Sequence, residues 1–217
     1  MEITLKLPFL GKSGEGSPVL GKDNELLASL LHGKYYAAVK RGRVFSQATT
    51  PLGLAIPIYT STAPVGCVLW NPPGSGVNAI LMQANLEQVS GVTAFSAIGL
   101  MVRTANIPAS LGTGANITAF AEVTPINGMP NSGKVSKIKS SNAGTITIAA
   151  GVAAEFVRAL ASIHPEIDTT ARATTKTPID FDGAPVLVPG SLAWFAGTVA
   201  SVALFAQHLV WEEEDVD

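Results

Sequence analysis

The stretch LWNPPGSGVNAILMQANLEQVS, Leu69 to Ser90, decides how this chain must be read. At its centre stands Asn71-Pro72-Pro73-Gly74-Ser75-Gly76. Two successive prolines lock φ and lack backbone donors, and the glycines that follow suit a tight turn, so no helix can cross this point. On the near side, Gly66 to Asn71 reads as a strand. On the far side, Asn78 to Ser90 alternates, with Ile80, Met82, Ala84 and Leu86 on one face and Leu81, Gln83, Asn85 and Glu87 on the other. The second set passes from apolar to polar along its length, which predicts a strand emerging from core to surface.

The same texture continues in both directions. The 21 Gly and 14 Pro, with frequent Thr, Ser, Asn and Val, predict many short strands joined by turns. Further strands are expected near Ala94 to Thr104, Asn116 to Val123, Lys134 to Ser140, Gly144 to Ala149, Ile179 to Phe181, Pro185 to Val188, Ser191 to Ala196 and Ser201 to Trp211. In Ala153 to His164, the spacing of Phe156, Val157, Leu160, Ala161 and Ile163 fits a short helix, and a strand leaving the sheet fits nearly as well. Many strands without interleaved long helices argue for a sandwich or a barrel.

Upstream of Phe45 the composition differs. Residues 1 to 22 are rich in Gly, Ser, Pro and Lys, with Leu5, Leu7, Phe9 and Leu10 at the front, and describe an extended arm. The opening MEITLKLPFLGKSGEG has neither the apolar core nor the cleavage site of a secretory signal. Asp23 or Asn24 can cap a helix from about Glu25 to Lys40, striped by Leu26, Leu27, Leu30, Leu31, Tyr35 and Val39. Gly33 weakens its middle and Gly42 stops it, with Lys40 and Arg41 at the negative helix end. The expected organisation is an arm and helix over 1–44 and a β-sandwich over 45–217.

Charge limits the functions open to the chain. Charged residues are 14% of the total and hydrophobic ones 47%, whereas ordinary soluble domains carry about 25% charge. So few charges predict that outer surface is buried against other chains, as in a homo-oligomer. Net charge is −2 and the bases are scattered, apart from Lys40, Arg41 and Arg43, which leaves no footprint for nucleic acid. Leu187 to Trp211 is long and nearly uncharged, but Pro189-Gly190, Gly197, Gln207 and His208 interrupt it and an acidic run ends it. Two buried strands with a bend near Ala196-Gly197-Thr198 fit better than a membrane helix.

No signature of catalysis, cofactor or metal binding survives inspection. Gly16 to Asp23 has the glycines and lysine of a phosphate loop, but Asp23 replaces the required hydroxyl and no apolar strand precedes it. Lys6 stands where Gly11-Lys12-Ser13 would need its first glycine. His32, His164 and His208 lie in unrelated segments without a carboxylate at ligand spacing. Cys67, the single cysteine, sits in an apolar stretch and reads as a core hydrophobe. Asn116-Ile117-Thr118 matches a glycosylation sequon, an accidental match in a chain with no secretory signal. The acids from Glu212 onward read as a solvated tail or as salt-bridge partners for neighbours. Trp70, Trp194 and Trp211 read as core packing.

Two segments carry a resemblance. Leu31-His32-Gly33-Lys34-Tyr35-Tyr36, then Arg41-Gly42-Arg43-Val44-Phe45 and the Leu69 to Asn78 turn, together with the ending Val186 to Gly190 and Trp211-Glu212-Glu213-Glu214, resemble structural proteins of tailed bacteriophages. The match covers about a quarter of the chain in short patches. In such proteins an HGKY-like helix precedes a jelly-roll-like sandwich, and an N-P-x-G-S-G-x-N turn links strands. The resemblance implies a mainly β, jelly-roll-like antiparallel sandwich and a virion role, with a capsid decoration (cement) protein the best fit. Its partners would be the major capsid protein and further copies of itself, a trimer being favoured, with neither nucleic acid nor membrane involved. A major jelly-roll capsid, head-fibre or tail component, a carbohydrate-binding sandwich module and a membrane-anchored minor virion protein are the alternatives. Residues expected at interfaces are Leu5, Leu7, Phe9, Leu30, Tyr35, Tyr36, Arg41 and Arg43, although a solvated helix terminus suits Arg41 and Arg43 as well.

Overall fold

The computed structural model describes residues 35–61, 63–90, 96–103, 117–142, 146–148, 155–163, 177–199 and 202–216. The expected arm, with Leu5, Leu7, Phe9 and Leu30, and the helix as far as residue 34 lie outside them. What is described of the helix is α1, Tyr36–Lys40. It ends as the sequence predicts, with the Gly42 amide donating to the Val39 carbonyl at 2.8 Å and Gly42 at φ 68°.

Strands follow in the order β1 Val44–Ala48, β2 Leu54–Ala55, β3 Val68–Trp70, β4 Val77–Ser90, β5 Ser96–Arg103, β6 Ile117–Ala119 and β7 Ile126–Asn127. The second half of the chain supplies β8 Lys139–Ser141, β9 Thr147–Ile148, β10 Glu155–Ile163, β11 Thr177–Asp180, β12 Val186–Leu187, β13 Leu192–Gly197 and β14 Leu204–Asp215. One large sheet runs β11-β4-β14-β1-β7, a second β10-β5-β13-β3-β8, and β6 pairs with β9 as a separate small sheet. Every strand pairing is antiparallel.

This order is that of a jelly roll. Among the eight principal strands, the first pairs with the last (β1 with β14), the second with the seventh (β3 with β13), the third with the sixth (β4 with β11) and the fourth with the fifth (β5 with β10). The chain is thus one long hairpin of strand pairs. Rolling it up brings β4 against β14 and β5 against β13 and so closes two four-stranded layers. The shorter β7 and β8 extend one edge of each sheet, and β2 and β12 prolong the pairing along β14 and β4.

Both layers feed one core. Phe45, Ala79, Leu81, Ala84, Leu209 and Trp211 from the first sheet meet Leu69, Leu100, Val102, Ala193 and Phe195 from the second. Cys67 lies among them, fully buried, and burial pushes its thiol up to about 12. Asn71, also buried, donates through Nδ2 to the carbonyls of Val77 and Leu187, both at 2.8 Å. The Asn71-Pro72-Pro73-Gly74 turn is thereby pinned to the connection between β12 and β13. The aromatic rings of Phe45 and Trp211 stack at 6.3 Å.

β4 and the acidic run differ from the sequence expectation, and β10 settles the choice left open between helix and strand, each for a legible reason. In β4 the inward residues are Val77, Ala79 and Leu81, then Ala84 and Leu86. The ladder shifts where Leu81 faces Trp211 and Gln83 faces Val210, so Met82 is an extra residue. The change from apolar to polar is therefore a β-bulge exchanging the faces, not a strand leaving the core. In β10, register shifts between Phe156 and Arg158 and between Ala159 and Ala161 break the period of two. Val157 and Leu160 fall at those shifts, which made a strand mimic helical spacing and rules out the helix there. The acidic run is no tail, since β14 continues through Glu212 to Asp215.

Shorter corrections concern 117–141. The strand expected over Lys134 to Ser140 is only β8, and that over Asn116 to Val123 is only β6 with an isolated bridge from Val123 to Ser140. The two residues of β7 are too few to show alternation. Leu187 to Trp211 forms β12, β13 and β14, and among the described residues no helix is long and apolar enough to cross a membrane.

Candidate interaction surfaces

Surface chemistry divides sharply between the two ends of the sandwich. At one end β1 begins and β14 finishes, with the 126–139 loop beside them. Arg43, just ahead of β1, forms an ion pair with Glu212 of β14. Glu213, next along and buried, accepts from the Lys137 amide at 3.0 Å, the Ile138 amide at 3.4 Å, the Ser136 hydroxyl at 2.5 Å and the Trp211 indole at 3.3 Å. One carboxylate thus organises the whole 136–138 segment, which has no strand partner to satisfy its amides. Lys137 reaches Asp215 at 3.3 Å, and Lys139 reaches Glu122 at 2.8 Å while lying 5.7 Å over the Trp70 ring. Asn127 donates to the Gly42 carbonyl at 2.9 Å, tying the loop to the chain entering β1. Polar and charged side chains tie this end together, although Ile126 and Val135 are exposed beside them.

The other end, where β4 finishes and β14 starts, is built differently. The sequence has no Asp, Glu, Lys or Arg from 44 to 86, from 88 to 102 or from 183 to 211, and these are the segments that meet here. They are held mainly by backbone: the Tyr59 amide donates to Gly197 and the Gly197 amide to Pro57, both at 2.9 Å, and the Thr198 amide donates to Ala97 at 2.9 Å. Ile56, Leu86, Ile98, Ala203 and Phe205 form a small core beneath. Above it Leu52 and Val202 are each 77% exposed, and Tyr59 and Val89 are also exposed. The nearest described charge along these strands is Glu87, opposite Ala206. β10 ends and β11 begins at this end too; residues 164–176 between them are outside the described ones and include Glu166, Asp168, Arg172 and Lys176 in sequence.

Of the residues expected at interfaces, Tyr36 and Arg41 are exposed, Tyr35 is half-buried and Arg43 is engaged by Glu212 within the chain. Leu52, Tyr59, Val89 and Val202 were not singled out by motif or periodicity. The signal that could have found them is the long absence of charge around them, a property of the whole segment and not of any residue.

Two further places have the shape of a site. On the outer face of the first sheet, Ala48, Thr49, Asn85, Glu87, Ala206, Gln207 and His208 line a shallow, open depression of about 310 Å³. His208 Nδ1 and Asn85 Nδ2 lie 3.1 Å apart there. On the outer face of the second sheet, Val68, Met101, Leu192, Trp194 and Ala196 form a second apolar layer with Ile146, flanked by Trp70 and Phe120. That layer explains why all six residues of β13 are buried. Among the described residues no three His, Cys, Asp or Glu side chains converge as metal ligands. Comparison with protein-family models, curated proteins and solved structures finds no match.

Proposed function

We propose that this chain is a non-catalytic virion structural protein that decorates and stabilises a phage capsid by bridging neighbouring capsid subunits. The observation carrying the proposal is a jelly roll with a closed core that still exposes large apolar side chains at both ends, in a chain only 14% charged. Leu52, Val202, Val135 and Ile126 are strongly exposed, which supports a chain whose surface is used in contacts, as larger exposed apolar patches are. The resemblance of the Leu31 to Phe45 and Leu69 to Asn78 segments to tailed-phage structural proteins supports the same reading. A shell under pressure from packaged DNA gains from clamps that bury apolar area across its joints, at about 25 cal/mol per Å² before ordering costs.

In this reading the N-terminal arm and the helix after it are the anchor. Fully extended, residues 1–22 span on the order of 70 Å, further than a globular body reaches. The major capsid protein is the proposed partner, the protein acts as a homo-oligomer, and its location is the virion after assembly in the host cytoplasm. The test is co-sedimentation of the purified protein with empty shells, with and without residues 1–22. Stoichiometric binding by the full chain and none by a folded truncation is the expected result. Full decoration by the truncated protein would sink the anchoring role, and no binding by the full chain would sink the decoration reading.

A further inference from the structure

We infer that Asn127 and Gly128 form a spontaneous modification site, at which the side-chain amide is lost when β7 lifts from β1. This goes beyond the decoration role and does not depend on it.

The chemistry begins in the sequence, where Asn127-Gly128 is the one place an asparagine precedes a glycine. In such a pair the glycine backbone nitrogen can attack the asparagine Cγ, because the following residue has no Cβ to stand in the way. A bond forms between Gly128 N and Asn127 Cγ, and the Cγ–Nδ2 bond breaks. The Gly128 amide proton leaves with that nitrogen as ammonia. The product is a five-membered succinimide ring. Water then opens the ring at either carbonyl, leaving aspartate or isoaspartate and one new negative charge. The only co-reactant is water.

In the folded chain the reacting groups are held apart. Asn127 pairs with Phe45 in the ladder between β7 and β1. The Gly128 amide, which carries the nucleophilic nitrogen, donates to the Val44 carbonyl at 2.8 Å. Asn127 Nδ2 donates to the Gly42 carbonyl at 2.9 Å, and Oδ1 accepts from the Met129 amide at 2.8 Å. The Met129 contact also polarises Cγ, as an oxyanion-binding amide does. The site is thus poised electronically and blocked geometrically.

The block is small, because β7 is only Ile126–Asn127, at the edge of the first sheet. Such edges open locally at a fraction of the free energy of global unfolding. The conversion is also one-way. A carboxylate has no proton to donate, so an oxygen would face the Gly42 carbonyl where Nδ2 does now. Isoaspartate further adds a carbon to the backbone, which breaks the register with Phe45.

The test incubates the purified full chain at neutral pH and follows the peptide containing Asn127 by mass spectrometry. Three conditions are compared: buffer, denaturant below the unfolding transition, and denaturant above it. Conversion should be fastest above the transition and at least roughly tenfold slower in buffer. Below the transition it should rise in step with hydrogen exchange at the Gly128 amide, since one opening frees both. Asn127→Asp should keep the fold and exchange roughly tenfold faster over 126–128 than the parent. Equal rates in buffer and above the transition overturn the inference, because the fold would then not guard the site. So does conversion that stays flat while Gly128 exchange rises, or an Asn127→Asp variant whose β7 exchanges like the parent's. The rate measurements use the parent chain alone, so misfolding of the variant cannot rescue the idea.

Discussion

The end organised by Glu213 and the end that exposes Leu52 finish the same sandwich by opposite means. At the first, a loop without strand partners is held by a buried carboxylate, and surface ion pairs stand beside it. At the second, backbone hydrogen bonds hold the connections and neutral side chains face outward. One end is tied together by charged side chains, while the described segments of the other are joined without any, although both leave large apolar side chains exposed.

The comparison can be broken by attacking each end in its own terms. The largest effect is expected from Gly53→Ala. Gly53 sits at φ 69°, and a Cβ there would stand 2.8 Å from the Phe205 carbonyl carbon and 2.9 Å from its amide nitrogen. Left-handed strain and a backbone clash together should cost about 3 kcal/mol in denaturant unfolding. A loss below about 0.5 kcal/mol would mean that backbone packing is not what closes the charge-free end.

Glu213→Ala comes next, at about 2 kcal/mol, because the Lys137 amide and the Trp211 indole lose their acceptor and the Ser136 hydroxyl loses one of its two. Glu213→Gln should recover part of the loss. Equal losses for both variants would show that filling the space, not accepting hydrogen bonds, is what matters.

Cys67, in the core common to both ends, supplies a pH probe. Its thiol ionises near 9.0 when unfolded and is pushed up to about 12 when folded, because burial disfavours the thiolate. Above pH 9 the unfolded state therefore binds fewer protons than the folded one. Stability contributed by this group is whole below pH 9 and should fall by about 1.4 kcal/mol per pH unit towards pH 12. A Cys67→Ala variant should lack that part of the alkaline decline, as parallel unfolding curves at pH 8 and pH 10.5 would reveal.

The smallest effects distinguish decoration of the surface from construction of the fold. Arg43→Ala removes a partly exposed ion pair with Glu212 and should cost under about 1 kcal/mol, less at high salt. Leu52→Ser should leave monomer stability within about 0.5 kcal/mol, since so exposed a side chain contributes little to the core. A larger loss from Leu52→Ser in dilute protein would make that side chain a part of the fold.

Much of the fold was legible because its signals are local. The Pro72-Pro73-Gly74 turn, the alternation at the start of β4 and the stop at Gly42 all follow from φ restrictions and a period of two. Where the reading failed or stayed open, a bulge had changed the period: Met82 exchanged the faces of β4, and the shifts at Val157 and Leu160 left β10 balanced between helix and strand. A bulge is a relation between two strands, and one strand's sequence does not contain its partner. The candidate surface was less legible. Arg43 looked free in sequence, yet it pairs with Glu212, 169 residues away.

By itself the sequence determined that this chain is β-rich, poor in charge and punctuated by rigid turns, since composition and backbone preference act residue by residue. Tertiary structure alone decided the roll-up that pairs first strand with last. It also gathered three separate charge-free segments at one end and drew Glu213 from an apparent tail into the fold. Those outcomes depend on distant parts of the chain competing for the same buried area and the same hydrogen bonds, a contest settled only when the two sheets close.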